Sequence, residues 1–369
     1  LAGNDSYRTQ SLALGVGLAG VGIHIDEGGD DNYQSVALSQ GFGQLGLGML
    51  KDVSGNDSYR LGLYGQGAAR YQGVGWLIDG AGEDFFKAGG VVVNAPLFKD
   101  IHYSFAQGYA SGYREDTGGL PGGIGLITDG AGDDTYVGET YCHGASYWFS
   151  IGSLYDAKGH DTYRAHHYAQ SSAMHCTAAY MFDLAGDDAY TVNYGAGHAI
   201  GHDYGLAFCL DRAGNDVYSG RDSRPGTGTA NGTGIFVDAG GEDRYAGPPG
   251  AAFQARGSGS LGLFLDLNGT DRYGEGMVNG AGLTRPSWAI SLDLETRVDD
   301  GVTSAPAQAP WPKPGTATRP SDAELNRLYF AASQWGVGTE ESQVQQSLRN
   351  LVAIGMPAVR WMIESKLAG

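Results

Sequence analysis

The sequence predicts an all-β fold, a right-handed parallel β-helix of about ten coils with about 27 residues in each coil, and a small α-helical appendage at the C-terminus. Three observations predict it. The phrase Asp-x-x-Gly-x-Asp-x-Tyr returns at a nearly fixed period, alternating apolar residues precede each copy, and small residues separate those apolar residues. A fixed period of this size indicates repeats that stack on one another, so residues 1–300 are predicted to form one solenoid.

The repeated phrase is predicted to be a tight turn that leads into a short strand. An Asp side chain accepts a hydrogen bond from the backbone two residues on, and Gly adopts backbone conformations closed to other residues. The Tyr then starts the strand, and like side chains stack from coil to coil, which indicates an aromatic ladder with a packing role. The copies are DEGGDDNY from Asp26, DVSGNDSY from Asp52, DGAGEDFF from Asp79, DGAGDDTY from Asp129, DAKGHDTY from Asp156, DLAGDDAY from Asp183, DRAGNDVY from Asp211, DAGGEDRY from Asp238 and DLNGTDRY from Asp266.

The residues before each turn are predicted to form a strand, because large and small residues alternate there. In one copy Val74, Trp76 and Ile78 alternate with Gly75 and Leu77. We expect the first three to point into the core, which leaves the Gly/Ala face with its Leu column as a flat apolar stripe. Soluble monomers rarely expose more than a few hundred Å² of such surface, so this stripe is expected to be covered. Three alternatives for what covers it are open. They are a second copy in a homo-oligomer through the Gly/Ala strand face, the C-terminal helices, or the chain's own second sheet.

Three departures from the repeat predict the remaining organisation. Residues 88–122 form an insertion in one coil, and residues 301–320 form a Pro/Ala-rich linker. Residues 321–369 are predicted to be helical, since Ser321 followed by Glu324 is a capping box. The stretch SLRNLVAIGMPAVRWMIESKL within them resembles a single HEAT repeat, which implies two short amphipathic helices.

Two columns of aspartates are the candidate metal ligands. Like charges about 5 Å apart repel by roughly 0.8 kcal/mol even in water, so stacked carboxylates need compensation. Backbone N–H groups in metal-free Asx turns would supply part of it, and hard cations such as Ca²⁺, which prefer oxygen ligands, would supply the rest. Both alternatives stay open. The candidate ligands are Asp26, Asp31, Asp52, Asp57, Asp129, Asp134, Asp156, Asp161, Asp183, Asp188, Asp211, Asp216, Asp238, Asp243, Asp266 and Asp271.

The turn phrases also resemble a known calcium-binding family. DGAGDDTYVG from Asp129 and DRAGNDVYSG from Asp211 are similar to half of the nonapeptide of the RTX β-roll family. The resemblance implies Ca²⁺ bound by Asp and turn carbonyls between stacked turns. The period here is about 27 residues rather than nine, so one such turn is expected in each coil.

The central coils are the candidate catalytic region, because seven of the nine histidines lie between His143 and His202. A His or Tyr base with an Arg would suit a lyase on uronic polymers, and two carboxylates would suit a glycoside hydrolase. Histidine pairs would also suit a transition metal, and a histidine bonded within the core is the further alternative. The candidates are His143, His166, His167, His198, His202 and Asp203, with Arg114 and Asp116 from the insertion.

A separate polar column passes through two of these histidines. Its members occur about twelve or thirteen residues before the first Asp of a copy, with the loop after Tyr113 discounted for Gln107. They are Gln40, Gln66, Gln107, His143, Gln170, His198 and Gln254. The column is predicted to be either a ladder of hydrogen-bonded side chains inside the rod or the floor of a ligand groove.

Composition excludes some partners, and two classes of function remain. A net charge of −18 argues against nucleic acid and anionic membranes as partners, and no hydrophobic run is long enough to span a bilayer. Since the chain starts at Leu1 inside a repeat, we expect a longer natural chain that is secreted or displayed at the cell surface. The first class is a non-catalytic scaffold or binding module, stabilised by calcium, with a polysaccharide or protein partner. The second is a polysaccharide-active enzyme with its site on the central coils, and the sequence names no substrate.

Overall fold

The computed structural model describes residues 2–114, 120–221, 223–253, 259–285, 288–295, 321–332 and 350. The chain divides into two compact units, Leu1–Arg297 and Val298–Gly369. The first unit is a parallel β-solenoid of about ten coils, which confirms the predicted fold class. Among the described residues, no helix is both long enough and apolar enough to cross a membrane.

Each coil contributes strands to three parallel sheets that run along the solenoid. The tyrosine sheet contains Ser6–Ala13, Asn32–Ser39, Ser58–Gly65, Phe85–Ala88, Thr135–Val137, Thr162–Ala165, Ala189–Val192, Val217–Ser219, Arg244–Tyr245 and Arg272–Tyr273. The short sheet contains Gly17–Leu18, Gly43–Gln44, Ala69–Arg70, Ala110–Ser111, Ser146–Tyr147, Ser172–Met174, Ile200–His202, Thr227–Thr229 and Ala251–Phe253. The apolar sheet contains Val21–Ile25, Leu47–Lys51, Val74–Ile78, Ile124–Thr128, Ile151–Asp156, Ala178–Asp183, Leu206–Asp211, Thr233–Asp238, Leu261–Gly269 and Ala289–Glu295, and Gly282–Arg285 pairs antiparallel with the last of these.

The tyrosine sheet supplies the centre of the core, as the repeat predicts. Each Tyr pairs in register with the Tyr of the next coil, for example Tyr33 with Tyr59. Their rings stack with centroids 4.8 Å apart and planes 2° apart, and both side chains are fully buried. The one substitution, Phe86, stays in the stack, with its ring 4.7 Å from that of Tyr59.

The apolar sheet shows the opposite orientation from the one expected. Leu77 and its equivalents are buried, and the alternate residues such as Trp76 lie on the outside and are only partly covered. The reason is the close approach of the short sheet, because a Cβ at Gly75 would lie 1.9 Å from the carbonyl oxygen of Ala68. The predicted inward orientation of the large residues is therefore wrong. Of the three alternatives for covering the Gly/Ala face, the chain's own second sheet is the one found, and the face lines the interior, where a homo-oligomer cannot use it.

The glycine of the repeated turn is required by contact between coils. A Cβ at Gly132 would lie 1.4 Å from the carbonyl oxygen of Gly82 in the preceding coil, and one at Gly214 would lie 1.4 Å from that of Gly186. The amide of Gly82 donates a hydrogen bond to the carbonyl oxygen of Ala131 at 2.9 Å, so the turns stack backbone on backbone. This close stacking brings the turn aspartates of successive coils together.

The insertion lies against the central coils. Within it Val92–Val93 and His102–Tyr103 form an antiparallel ribbon. Phe98 contacts the ring of His166 with centroids 4.7 Å apart, and Nδ1 of His102 lies 2.9 Å from a carboxylate oxygen of Glu139. Residues 115–119 of the insertion lie outside the described residues.

The second unit is described over one helix, Asp322–Ala332. The Ser321 hydroxyl accepts a hydrogen bond from the Glu324 backbone N–H at 3.3 Å, in agreement with the predicted N-cap. The predicted linker 301–320 and the HEAT-like phrase, apart from Asn350, lie outside the described residues.

Candidate functional site

The aspartates of the turns form two buried columns with different partners. We call the Asp that opens each phrase a first aspartate and the Asp five residues later a second aspartate. Oδ2 of a first aspartate accepts a hydrogen bond from a tyrosine hydroxyl in each phrase except that of Asp129. Oδ1 accepts from the backbone of its own turn in some phrases and has no donor among the described residues in Asp79, Asp183, Asp211 and Asp266. In Asp156, Oδ1 accepts from the Lys158 backbone N–H at 3.1 Å and Oδ2 accepts from the Tyr136 hydroxyl at 2.8 Å. The first column is therefore held by its own turn and by the tyrosine of the preceding coil.

Most second aspartates accept a hydrogen bond at one oxygen only; the exceptions are Asp31 and Asp161, whose Oδ2 atoms accept long hydrogen bonds from Tyr33 at 3.5 Å and Tyr163 at 3.4 Å. The backbone N–H of Asp57 donates to Oδ1 of Asp84 at 2.6 Å, and that of Asp84 donates to Oδ1 of Asp134 at 2.6 Å. The same bond repeats from coil to coil. The other oxygen, Oδ2, is buried and has no hydrogen-bond donor among the described residues in Asp57, Asp84, Asp134, Asp188, Asp216, Asp243 and Asp271. A row of buried carboxylate oxygens thus lacks any donor.

The two columns meet in triads of carboxylates. Each triad joins a second aspartate to both aspartates of the next phrase, and one oxygen from each member lies within 4.8 Å of the others. Examples are Asp31 with Asp52 and Asp57, Asp57 with Asp79 and Asp84, Asp84 with Asp129 and Asp134, and Asp134 with Asp156 and Asp161. This arrangement gathers oxygen ligands at the spacing that a single cation would bridge.

The second aspartates from Asp57 to Asp243 have raised pKa values. Burial raises the pKa of Asp84 to about 10, and the negative charge of Asp79 adds to the effect. Burial likewise raises the pKa of Asp134 to about 11, with the charge of Asp129 as the next cause. The ionised form of these carboxyls is therefore unfavourable unless a positive charge, either protons or a cation, lies among them.

The coil of Phe86 breaks the first column. Because phenylalanine has no hydroxyl, Oδ2 of Asp129 has no donor among the described residues, whereas the equivalent oxygen of Asp79 accepts from the Tyr59 hydroxyl at 2.5 Å. Asp79 and Asp84 join the columns although the sequence-based ligand set omits them. The signal that could have found them is the carboxylate pair of DGAGEDFF, which keeps the five-residue spacing.

The predicted polar column lies inside the solenoid and bridges its coils. The Gln66 side-chain amide donates to the carbonyl oxygens of Tyr59 at 3.1 Å and Lys87 at 3.2 Å. His143 and His198 take the same position and are buried, which lowers their pKa values to about 3 and about 4 and keeps both neutral. Both side chains are enclosed in the solenoid and cannot contact a ligand at the surface. Gln254, the last member of the predicted column, lies outside the described residues.

His166 and His167 lie beneath the insertion. Their rings contact Phe98, and Nδ1 of His167 lies 3.2 Å from the carbonyl oxygen of Gly195. Asp116 of the insertion lies outside the described residues. The structure therefore brings no carboxylate pair together from the described members of the predicted catalytic set.

His202 and Asp203 meet His175, a residue that the catalytic candidates omit. Nδ1 of His175 lies 2.7 Å from Oδ2 of Asp203, and the rings of His175 and His202 have centroids 5.4 Å apart. We call His175, His202 and Asp203 the histidine corner. Locating it requires the register between coils, because His175 and Asp203 are 28 residues apart in sequence.

An open cavity lies on the same side of the solenoid as the histidine corner. Its volume is about 650 Å³, and its lining includes Phe149, Cys176 and Tyr204. Arg114 from the insertion stands close by, where its guanidinium donates to the Tyr147 hydroxyl at 3.1 Å and lies 5.6 Å from the ring centroid of Trp148. Aromatic rings and the guanidinium of Arg114 therefore lie beside the histidine corner.

The chain matches no protein-family model, no curated protein and no solved structure. Fold and site together define the class: a parallel β-solenoid with buried carboxylate columns at one edge and a histidine corner at another. Its function must be inferred from these groups themselves.

Proposed function

We propose that the protein is a structural β-solenoid whose carboxylate columns bind divalent cations. One observation carries the proposal: Oδ2 of the second aspartates is buried without a donor in coil after coil. A buried carboxylate without a partner is costly, and a repeated one is costly in every coil. A cation in each triad replaces the missing donor and cancels the repulsion between the columns.

Calcium is the cation that this donor set suits best. Every ligand is a carboxylate oxygen, which favours hard cations over transition metals. Ca²⁺ accepts six to eight oxygens in variable geometry, whereas Mg²⁺ demands near-octahedral geometry and releases its water reluctantly. Sites of extracellular modules have dissociation constants of about 10⁻⁴–10⁻³ M, so secretion or display at the cell surface belongs to this proposal. The RTX-like turn phrases support the same cation.

Replacing one second aspartate is expected to remove calcium binding at that coil. Asp134→Asn retains an oxygen for the backbone N–H of Asp84 but takes away the charge and a carboxylate ligand. The neighbouring Asp133 is exposed, so Asp133→Asn is the matched control. Equilibrium dialysis with radioactive calcium should show several ions per chain in the wild type and the control, and at least one fewer in Asp134→Asn. Equal counts in both variants would contradict the proposal.

We further propose that the scaffold self-associates through the outer face of the apolar sheet. This face carries large residues that remain partly exposed in the middle of the rod, such as Ile124 at 39%, Ile151 at 39% and Leu206 at 38%. Ten coils about 4.8 Å apart and strands about 17 Å long give a sheet face of roughly 800 Å². That area exceeds the roughly 300–600 Å² of the largest apolar patch on a monomer and is close to the roughly 800 Å² that each partner buries in a stable complex. A second copy supplies the matching flat face by two-fold symmetry.

The double variant Ile151→Lys with Leu206→Lys is expected to be monomeric and folded, because two cations on the outer face disrupt association without touching the core. Val36→Lys is the control, since Val36 is similarly exposed, at 42%, but lies on the tyrosine sheet. Sedimentation velocity measures the change, and circular dichroism checks the fold. A wild-type chain that sediments as a monomer at high concentration would refute the self-association.

A further inference from the structure

We propose that the histidine corner binds one divalent transition metal ion, with Zn²⁺ as the representative, through His175, His202 and Asp203. This site is separate from the carboxylate columns and differs from them in ligand chemistry. Each of the three residues offers one ligand atom, and the three atoms lie within 4.8 Å of one another. A single ion placed among them can therefore reach all three with small side-chain movements.

The corner is formed by the stacking of two successive coils. Met174 pairs in register with His202, so His175 and Asp203 occupy equivalent positions where the chain leaves the short sheet. These positions have left-handed backbone conformations, with φ of 67° at His175 and 51° at Asp203. The turn thus aims the ligand of one coil at the ligand of the next.

The left-handed backbone at this position belongs to the repeat. The equivalent residue is Trp148, with φ of 59°, in the preceding coil and Ala230, with φ of 49°, in the following coil. The side chains of His175 and Asp203, and not the backbone conformation, are therefore what make the corner different from its neighbours.

The donor set selects the class of metal. Two imidazoles and one carboxylate suit Zn²⁺ and similar transition metals, whereas the all-carboxylate triads suit Ca²⁺. His175 and Asp203 have side chains 13% and 18% exposed, so solvent ions reach them while the surroundings limit competition from water. The rings of Tyr147 and Trp148 lie 5.2 and 6.1 Å from that of His175 and cover it on one side.

Three protein ligands leave at least one position of a tetrahedral ion open. The cavity of about 650 Å³ takes part of its lining from Cys176 and Tyr204, which directly follow His175 and Asp203 in the chain. A small ligand with an anionic group could therefore fill the open position from this cavity. The ion would make the corner a binding site rather than a plain hydrogen-bonded contact between His175 and Asp203.

The test uses the full chain, stripped of metal and then dialysed against Zn²⁺ in the presence of excess Ca²⁺, with the bound metal counted by mass spectrometry. We expect one Zn²⁺ per chain, and His202→Ala should weaken its binding by more than about 100-fold, since loss of even a supporting group costs 10–100-fold. His160→Ala is the control, because His160 is an exposed histidine of a turn phrase. Cobalt substitution should give the visible absorption bands of a bound ion.

A second variant keeps the test decisive if His202→Ala does not fold. Asp203→Asn preserves the size of the side chain and removes its charge, so it should also lower the affinity for Zn²⁺. Asp134→Asn should leave zinc binding unchanged, which separates this site from the calcium columns. Absence of stoichiometric Zn²⁺ in the wild type, or equal affinity in Asp203→Asn and His160→Ala, would overturn the proposal.

Discussion

Removal of divalent cations at pH 8 is expected to lower the melting temperature of the protein by more than about 10 °C, and added Ca²⁺ should restore it. A site filled at 100 times its dissociation constant stabilises the folded state by about 2.7 kcal/mol, and each kcal/mol shifts the melting temperature of a domain of this size by about 2–4 °C. Several triads contribute together. Sodium chloride of equal ionic strength is the control, since screening alone weakens repulsion between exposed charges.

The fall in melting temperature on removal of cations should become larger as the pH rises. Burial raises the pKa of Asp57 to about 8, that of Asp84 to about 10 and that of Asp134 to about 11, against about 3.9 in the unfolded chain. Proton uptake therefore stabilises the metal-free fold fully below about pH 4, and this stabilisation is lost as the pH rises through about 8 to 11. The chelated protein should melt at progressively lower temperature from pH 7 to pH 9, and the calcium-loaded protein should change much less.

Two buried histidines have the opposite effect on stability, which they reduce as the pH falls. The pKa values of His143 and His198 are lowered by burial, so their contribution is present above about pH 6.5 and is lost as the pH falls. Measurements from pH 7 to pH 9 by differential scanning calorimetry avoid this region. Identical melting curves with chelator and with Ca²⁺ across that range would count against cation binding.

The second large effect is expected from the variant Gly132→Ala. The added Cβ would lie 1.4 Å from the carbonyl oxygen of Gly82, so two coils would have to separate and break the ladder between them. We expect a loss of more than about 4 kcal/mol, the range of severe core defects. Urea denaturation followed by circular dichroism measures it.

Gly20→Ala is the matched control for this variant, because the nearest atom to its added Cβ is 3.8 Å away. It should change stability by less than about 1 kcal/mol. If Gly132→Ala were as stable as Gly20→Ala, the account of coils stacked backbone on backbone would be wrong.

The solenoid and its turns could be predicted from the sequence because the repeated phrase has a nearly fixed period and contains the Asp and Gly residues of a tight turn. The orientation of the apolar sheet could not be read from hydrophobicity, since both faces of a strand such as Val74–Ile78 are apolar. The inner face is decided by space, because only a residue as small as Gly75 fits beside the carbonyl oxygen of Ala68. The regular smallness of that column was a stronger signal than the size of its neighbours.

The candidate sites were predictable in their residue types but not in their partners. The sequence indicates the aspartate columns, yet the Oδ2 atom without a donor is visible only when each hydrogen bond is assigned. The histidine corner depends on the register that places His175 beside Asp203. His143 is the opposite case. A histidine at this point in the sequence suggests a catalytic residue, but its side chain is fully buried and has a packing role.

Calcium binding by the carboxylate columns is tested most directly by calorimetric titration of the metal-free chain with Ca²⁺ at pH 8, repeated in two buffers that differ in ionisation enthalpy. We expect that several ions bind per chain and that binding releases protons, because Ca²⁺ replaces protons on buried aspartates whose pKa values, such as about 10 for Asp84, are raised by burial. Titrations without binding, or calcium binding without proton release, would contradict this expectation.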